Sequence, residues 1–256
     1  MDPVVHASVN PAVPQEAPGL SVVIPFFNEA GNVAPLLAEL RVALAALPVG
    51  AEVIAVDDGS TDGTGAELAA AARDWPLLRV RRCATNRGQA AALWEGFSAA
   101  RGAWVAMLDG DGQNPPADLA LLWSVRERAD LIAGIRADRR DPALRRAMSR
   151  VANAVRRVLL RDGVSDTGCS LKLFRREVTR SFLPIRSMYS FLPAFALAAG
   201  YTVHEVAVGH RPRRAGTSKY GFAVMAVRPL LDLLALSWIL RRAFRQRVGT
   251  RPGQAD

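Results

Sequence analysis

Short apolar runs that alternate with helical segments constrain the fold of this chain most strongly. The runs LSVVI, EVIAV, LLRVRRC and AWVAMLD predict four strands, at residues 20–24, 52–56, 77–83 and 103–109. Helical patterns between successive runs predict three intervening helices, at residues 31–47, 64–73 and 88–100. This alternation predicts an α/β fold whose sheet is mostly parallel and carries helices on both faces.

A polar cluster follows three of these strands directly. The clusters are PFFNE, DDGSTDGT and DGDGQNPP, and each begins where an apolar run ends. The carboxyl ends of parallel strands meet at one edge of a sheet, and ligands of open α/β sheets bind beyond that edge. One such cluster is typical of a turn, whereas three at equivalent strand ends predict a single binding site.

The third cluster places two aspartates, Asp109 and Asp111, one residue apart. If the strand continues in register, their carboxylates face the same side and repel each other unless a cation lies between them. Oxygen ligands of this kind suit Mg²⁺ or Mn²⁺, and Gln113 adds an amide oxygen at the same spacing. Gly110 and Gly112 allow a ligand to approach the backbone closely. A solvated acidic turn explains the motif taken alone; beside the other two clusters, the metal site is favoured.

The charge balance indicates anionic partners. The chain has 33 Lys and Arg against 24 Asp and Glu, a net charge of +9, and only two of the cations are lysines. Arginine binds phosphates and carboxylates with two parallel hydrogen bonds, so phosphates or an anionic membrane surface are expected. Nucleic acid is not expected, because no motif that combines aromatic and basic residues in a binding platform is present. The two cysteines lie far apart without metal-ligand spacing, which favours a reducing compartment.

The second half predicts a basic, membrane-facing region. Strands are predicted at 130–136, after the turn in 165–174, and at 202–208, with a basic amphipathic helix at 143–161 and a basic loop at 210–221. The apolar run 222–240 is interrupted by charges and Pro229, so it predicts two interfacial helices rather than a spanning one. The predicted organisation is a flexible tail (1–19), a catalytic domain (20–221), membrane-interface helices (222–245) and a disordered tail (246–256).

Four segments, in this order and spacing, carry a family resemblance: SVVIPFFNEAGNV, VDDGSTDGT, NRGQAAALWEGFSAARG and MLDGDGQNPPADL. Together they resemble the inverting family 2 glycosyltransferases. Two later segments, SDTGCSLKLF and RPRRAGTSKYG, are similar to the branch that loads sugars onto polyprenyl phosphates, which includes dolichol-phosphate mannosyltransferase and bacterial undecaprenyl-phosphate enzymes. The resemblance covers about residues 20–240 and implies the GT-A fold.

The resemblance also implies roles for individual residues. The nucleotide would be bound by Pro25, Phe27, Asn28, Glu29, Asp57, Asp58, Arg87, Gly88 and Gly110. The metal on the donor diphosphate would be held by Asp109, Asp111 and Gln113. The acceptor phosphate would be bound by Arg136, Arg145 (rather than Arg146), Ser149, Arg213 and Lys219. Asp166 would lie near the substrates. The residues expected to matter most for catalysis are Asp109, Asp111, Arg136 and Arg213.

The activity that the resemblance implies is transfer of a sugar from a UDP- or GDP-sugar to a dolichyl or undecaprenyl phosphate, with inversion. The protein would work as a peripheral enzyme on the cytoplasmic face of the membrane, without a spanning helix, as a homo-oligomer or beside a membrane partner protein. The chain departs from the family at Phe27, or at Phe26 if the register shifts by one, where a tyrosine is common. It departs again at Gly168-Cys169, a pattern similar to that of aminoarabinose-type enzymes. These departures leave the identity of the sugar open.

Two other functions fit parts of the pattern. A related enzyme that transfers the sugar to a saccharide would need a carboxylate base near its acceptor, and no acidic pair stands out in the second half of the chain. A scaffold that binds sugar nucleotides without catalysis would not need Asp109, Asp111 and Gln113 together. We therefore expect the polyprenyl-phosphate activity over either alternative.

Overall fold

A computed structural model of the protein describes residues 17–136, 156, 159–160, 162–212, 232–240 and 242. In these residues, seven strands form one sheet in the order β3-β2-β1-β4-β6-β5-β7. The strands are β1 (Leu20–Phe26), β2 (Ala51–Asp57), β3 (Leu78–Arg82), β4 (Trp104–Met107), β5 (Leu131–Arg136), β6 (Lys172–Arg175) and β7 (Val203–Val208). The predicted strands are all present.

The sheet is mostly parallel, as the alternating pattern predicts. Strands β1 to β4 pair in parallel, and so do β5 and β7, whereas β6 runs antiparallel between β4 and β5. Because β6 reverses the direction once and β5 reverses it again, the carboxyl ends of six strands point to the same edge. The chain enters β6 at that edge too, so Lys172 lies there beside Met107 in register.

Helices cover both faces of the sheet. The helices are α1 (Val33–Ala45), α2 (Thr64–Asp74), α3 (Gln89–Ala99), α4 (Leu119–Ser124), α5 (Met188–Ala198) and α6 (residues 232–240), with short 3₁₀ turns at Pro116–Asp118, Arg126–Arg128 and Arg176–Ser181. One face buries leucines of α1, α2 and α4, and the other buries α3, α5 and α6 around a cluster of phenylalanine rings. Burial of both faces explains why the central strands are apolar almost throughout.

The structure corrects one prediction in this region. Strand β4 ends at Met107 instead of continuing to residue 109, so Asp109 and Asp111 lie in the loop beyond it. Whether their carboxylates face the same side therefore depends on the conformation of that loop and not on strand register. The sequence analysis also makes no prediction for α5, whose run MYSFLPAFALA is apolar on all sides and contains Pro193.

Several predictions fall on residues outside the described ranges. These include most of the basic helix 143–161, of which residues 156, 159 and 160 are described and helical, the loop from 213 onward, and the expected hinge at Pro229. The apolar run is described only over 232–240 and at 242. Among the described residues, we find no helix with the length and apolar character needed to cross a bilayer.

Candidate active site

The predicted site residues converge at the carboxyl edge of the sheet. Phe26 and Asp57 end neighbouring strands and are paired in register, and the loop that follows β4 lies on the other side of β1. Arg136 ends β5, and the segment 209–212 leaves β7, at the same edge. The convergence that the sequence predicts is therefore present, with residues from both halves of the chain.

The loop after β1 is joined to the loop after β2 by backbone hydrogen bonds to side chains. The N–H of Asn28 donates to Ser60 Oγ at 3.0 Å, and the N–H of Thr61 donates to Asn28 Oδ1 at 2.8 Å. The N–H of Glu29 donates to Thr64 Oγ1 at 2.8 Å. Asn28 has a φ of 49°, a left-handed conformation that asparagine tolerates. The two predicted nucleotide-binding loops are thus hydrogen-bonded to each other and form one surface, which begins at Pro25 within β1.

Asp57 and Asp58 organise the loops around them. Asp57 is fully buried, accepts the N–H of Ser60 at 2.9 Å, and lies 3.3 Å from Arg82 Nε. Asp58 is also buried and accepts backbone N–H groups from Arg87 at 3.0 Å and Gly88 at 2.7 Å. Burial raises the pKa of the Asp58 carboxyl, and the two N–H donors oppose this shift. Both aspartates therefore hold predicted nucleotide-binding segments in place.

The loop after β4 packs directly against the end of β1. A Cβ on Gly110 would lie 2.6 Å from Phe26 Cδ1 and 2.8 Å from the carbonyl oxygen of Pro25, so only glycine fits there. Asp111 is buried, and its Oδ1 accepts the N–H of Gln113 at 3.1 Å, which closes a tight turn. The Asp109–Gln113 loop is thereby held against the predicted nucleotide pocket.

Gln113 is in turn connected to the segment that leaves β7. Its Nε2 donates to the carbonyl oxygen of Arg211 at 3.4 Å, and the N–H of Arg211 donates to the Gln113 carbonyl oxygen at 2.8 Å. The Arg211 guanidinium pairs with Glu39 of α1 at 2.9 Å. This contact uses the amide nitrogen of Gln113, whereas an amide binds a metal through its oxygen.

The opposite wall of the site is built around an ion pair. Arg136 donates from Nε and Nη2 to the two carboxylate oxygens of Asp166, both at 2.8 Å, and its backbone N–H donates to Asp166 Oδ2 at 3.2 Å. The N–H of Gly168 donates to Asp166 Oδ1 at 3.1 Å, and a Cβ at Gly168 would lie 2.6 Å from Arg136 Nη2. Asp166, predicted near the substrates, thus orients Arg136, predicted at the acceptor phosphate.

Buried polar residues that the sequence analysis did not select connect these two walls. Ser170 Oγ donates to Asn114 Oδ1 at 2.6 Å, and Asn114 Nδ2 lies 3.6 Å from Cys169 Sγ. Lys172 is almost completely buried, and its ammonium donates to the carbonyl oxygen of Cys169. Burial lowers the pKa of Lys172, while nearby Asp166 and Asp109 are among the groups that oppose this shift. Lys172 interrupts the apolar pattern of the run SLKLF, and this interruption is the sequence feature from which a functional role could have been predicted.

The sequence analysis also missed Gln89, the first residue of α3. Its Nε2 donates to Asp109 Oδ1 at 2.6 Å, so it contacts a predicted metal ligand. A polar residue at the start of a helix is common, so its residue type alone does not mark it, although it lies in the segment NRGQAAALWEGFSAARG that carries the family resemblance. Four other predicted residues lie outside the described ranges: Arg145, Ser149, Arg213 and Lys219.

The donor set fits a divalent cation that shares its coordination with a substrate. In the part of the chain that the structure describes, no three His, Cys, Asp or Glu side chains come together as a metal site. The candidate site instead offers the carboxylates of Asp109 and Asp111 and the amide of Gln113. Mg²⁺ and Mn²⁺ are commonly bound by one or two carboxylates plus substrate phosphates, so this sparse oxygen set is adequate.

Comparison with known proteins decides the family. The model of glycosyl transferase family 2 matches residues 21–183. The chain belongs to glycosyl transferase family 2. The match begins in β1 and extends beyond the Asp166–Lys172 segment, so both walls of the site lie within the family domain.

Two curated family 2 relatives are similar over most of this chain. Dodecaprenyl-phosphate galacturonate synthase of Rhizobium johnstonii is 36% identical over 234 residues, which cover 89% of this chain and 69% of that protein. Undecaprenyl-phosphate 4-deoxy-4-formamido-L-arabinose transferase of Pseudomonas aeruginosa is 36% identical over 219 residues, which cover 84% and 64%. The chain thus spans about two thirds of the length of these relatives.

A solved structure shares the fold. Glucosyl-3-phosphoglycerate synthase of Mycobacterium tuberculosis, crystallised with Mn²⁺, UDP and phosphoglyceric acid, aligns with a TM-score of 0.62 and 21% identity. The alignment covers 88% of this chain and 76% of that one. It confirms the predicted GT-A fold of the sheet and its helices.

Proposed function

We propose that this family 2 protein transfers a sugar from a UDP- or GDP-sugar to a polyprenyl phosphate, with inversion at the anomeric carbon. The observation that carries the proposal is that two walls of the site, each suited to a phosphate, lie at the same edge of the sheet. One wall is the Asp109–Gln113 loop, suited to a metal-bound diphosphate, and the other is the Arg136–Asp166 pair, suited to a second phosphate. Both curated relatives have names that describe polyprenyl-phosphate products or acceptors.

The donor would bind along the surface of the two joined loops, which begins at Pro25. The base and ribose would lie against Phe27, Asn28, Glu29, Asp57, Asp58, Arg87 and Gly88. Mg²⁺ or Mn²⁺ held by Asp109, Asp111 and Gln113 would supply Lewis-acid stabilisation of the leaving diphosphate. Gly110 keeps the loop backbone against Phe26, so a diphosphate there would meet an ordered surface.

The acceptor needs orientation more than activation. A phosphate monoester has a second pKa of about 6, so near neutral pH it is largely a dianion and attacks without a protein base. Its oxygen forms a bond to C1 of the sugar, the bond from C1 to the diphosphate oxygen breaks, and the electron pair leaves with the diphosphate. Arg136, held in one orientation by Asp166, would direct the attacking phosphate in line with that bond. Arg145, Ser149, Arg213 and Lys219 are proposed to share this role.

We further propose that the enzyme works at the cytoplasmic surface of a membrane. Helix α6 buries Leu233 and Leu236 against the core, whereas Leu234 is 50% exposed and Trp238 is 60% exposed. The guanidinium of Arg242 stacks over the Trp238 ring at 4.9 Å. An apolar strip with a tryptophan and an adjacent arginine suits the boundary between acyl chains and anionic headgroups.

Nucleoside diphosphate release tests the proposed reaction. The purified protein is given UDP- or GDP-sugars with Mn²⁺ or Mg²⁺, each with and without undecaprenyl phosphate. We expect release that depends on the lipid phosphate and is lost in Asp111→Asn. The matched control is Asp74→Asn, which removes an exposed carboxylate at the end of α2. Release without the lipid, with transfer to a saccharide, would assign the protein to the saccharide-transferring alternative. Donor binding without any release would favour the scaffold.

A further inference from the structure

Gln89 joins two parts of the candidate site that are distant in sequence. It is the first residue of α3, and its side-chain amide donates to Asp109 Oδ1 at 2.6 Å. Asp109 follows β4, twenty residues later in the chain. The contact therefore fixes the start of α3 to the first carboxylate of the Asp109–Gln113 loop.

The position of Gln89 is itself held by a carboxylate from another strand. Asp58, which follows β2, accepts the backbone N–H groups of Arg87 and Gly88 at 3.0 and 2.7 Å. Gly88 has a φ of 95°, so the chain turns sharply there before the helix begins. Asp58 is buried, and both of these contacts use backbone donors. A connected series of hydrogen bonds thus runs from the end of β2, through the start of α3, to the loop after β4.

We propose that Gln89 is a positioning residue that orients the Asp109 carboxylate for the divalent cation, with Asp58 holding Gln89 in place. This inference rests on the metal site of the proposed function and adds a residue outside the set of expected ligands. An amide donor stays neutral and donates at every physiological pH, so it restrains the rotation of the carboxylate without adding a competing charge. Removing hydrogen-bond partners of ligating groups typically lowers metal affinity 10- to 100-fold.

Direct measurement of Mn²⁺ affinity tests this role without relying on turnover. The free Mn²⁺ signal in electron paramagnetic resonance is titrated with protein, alone and with UDP. Gln89→Met keeps the length of the side chain and removes the donor. Gln89→Asn keeps the amide on a side chain one methylene shorter, and it serves as the second variant if the first does not fold. We expect Mn²⁺ affinity to fall about 10- to 100-fold in both variants at an unchanged melting temperature.

Ser98→Ala is the matched control on the same helix, because its hydroxyl donates only locally to the Trp94 carbonyl oxygen. It should bind Mn²⁺ like the wild type. Wild-type affinity in both Gln89 variants, with affinity lost in Asp111→Asn, would overturn the role of Gln89 and leave the metal site standing. Equal, negligible Mn²⁺ binding by the wild type and Asp111→Asn would overturn the metal site together with this inference.

Discussion

Arg136 and Asp166 form a bidentate ion pair in which both N···O distances are 2.8 Å. The side chains are only 17% and 7% exposed, so solvent screens this pair weakly. Arg136 ends β5 and Asp166 precedes β6, so the pair also joins the end of one strand to the segment that leads into its antiparallel neighbour. A predicted phosphate-binding arginine is therefore already oriented before any substrate arrives.

Asp166→Asn should lower both stability and acceptor binding. The variant leaves the Arg136 guanidinium largely buried without its counter-charge, and breaking such a pair costs about 3 kcal/mol. Arg136 also loses its fixed orientation, so we expect the KM for polyprenyl phosphate to rise more than the KM for the nucleotide sugar. Chemical denaturation and steady-state kinetics check the two effects. Equal changes in both KM values would show that Asp166 acts on the whole site and not through Arg136.

Gly110→Ala should displace the loop that carries the two aspartates. The added methyl group would meet the Phe26 ring and the Pro25 carbonyl oxygen at 2.6 and 2.8 Å, and neither can retreat from the buried end of β1. Overpacking of this kind costs about 1–3 kcal/mol. We expect a lower melting temperature and weaker Mn²⁺ binding. The control is Gly50→Ala, because a Cβ at the exposed Gly50 meets nothing within 4 Å. Neither Gly50 nor Gly110 has a positive φ, so the two variants differ in the contacts that the added methyl group makes.

The sequence predicts the carboxyl edge of the sheet well because the patterns that identify it are local in sequence. Apolar runs, glycines and acidic turns identify the first four strands and place Asp109 and Asp111 beyond one of them. The insertion of β6 between β4 and β5 depends on long-range pairing, which no local pattern encodes. Gln89 and Asn114 escaped prediction for a similar reason, since their partners Asp109 and Ser170 lie 20 and 56 residues away along the chain. Helix α5 escaped because a continuous apolar run with an internal proline has no helical periodicity.

Lys172 should make stability depend on alkaline pH. Burial lowers its pKa below 10.5 in the folded protein, so the unfolded chain binds a proton more readily between the folded pKa and 10.5. The contribution of Lys172 to the free energy of unfolding therefore increases as the pH rises from the folded pKa toward 10.5. Below the folded pKa, this contribution is at its lowest and the folded state is stabilised least. Lys172→Met removes the buried ammonium and with it this rise.

Denaturation of the wild type and Lys172→Met at pH 7, 8, 9 and 10 measures the effect. At pH 7 we expect the variant to be more stable by about 1–2 kcal/mol, because a well-packed apolar side chain replaces a buried charge. The difference should shrink as pH rises, since the wild-type lysine then loses its proton in the folded state. Parallel stability curves for the two proteins would mean that Lys172 keeps its ordinary pKa. A large loss of stability at pH 7 would show that its bond to the Cys169 carbonyl outweighs the burial of the charge.

Trp238→Ser should weaken binding to anionic vesicles. Trp238 lies on the face of α6 that points away from the core, beside the exposed Leu234. Transfer of a large apolar side chain from water to a membrane interface is worth 1.5 kcal/mol or more, so we expect partitioning to fall about tenfold. Co-sedimentation with phosphatidylglycerol vesicles measures this change. Trp94→Ser is the matched control, since Trp94 is 38% exposed on α3 and belongs to a different surface. Equal partitioning of both variants and the wild type would exclude α6 as the membrane-binding face, and weaker binding by the Trp94 variant would place that face on α3.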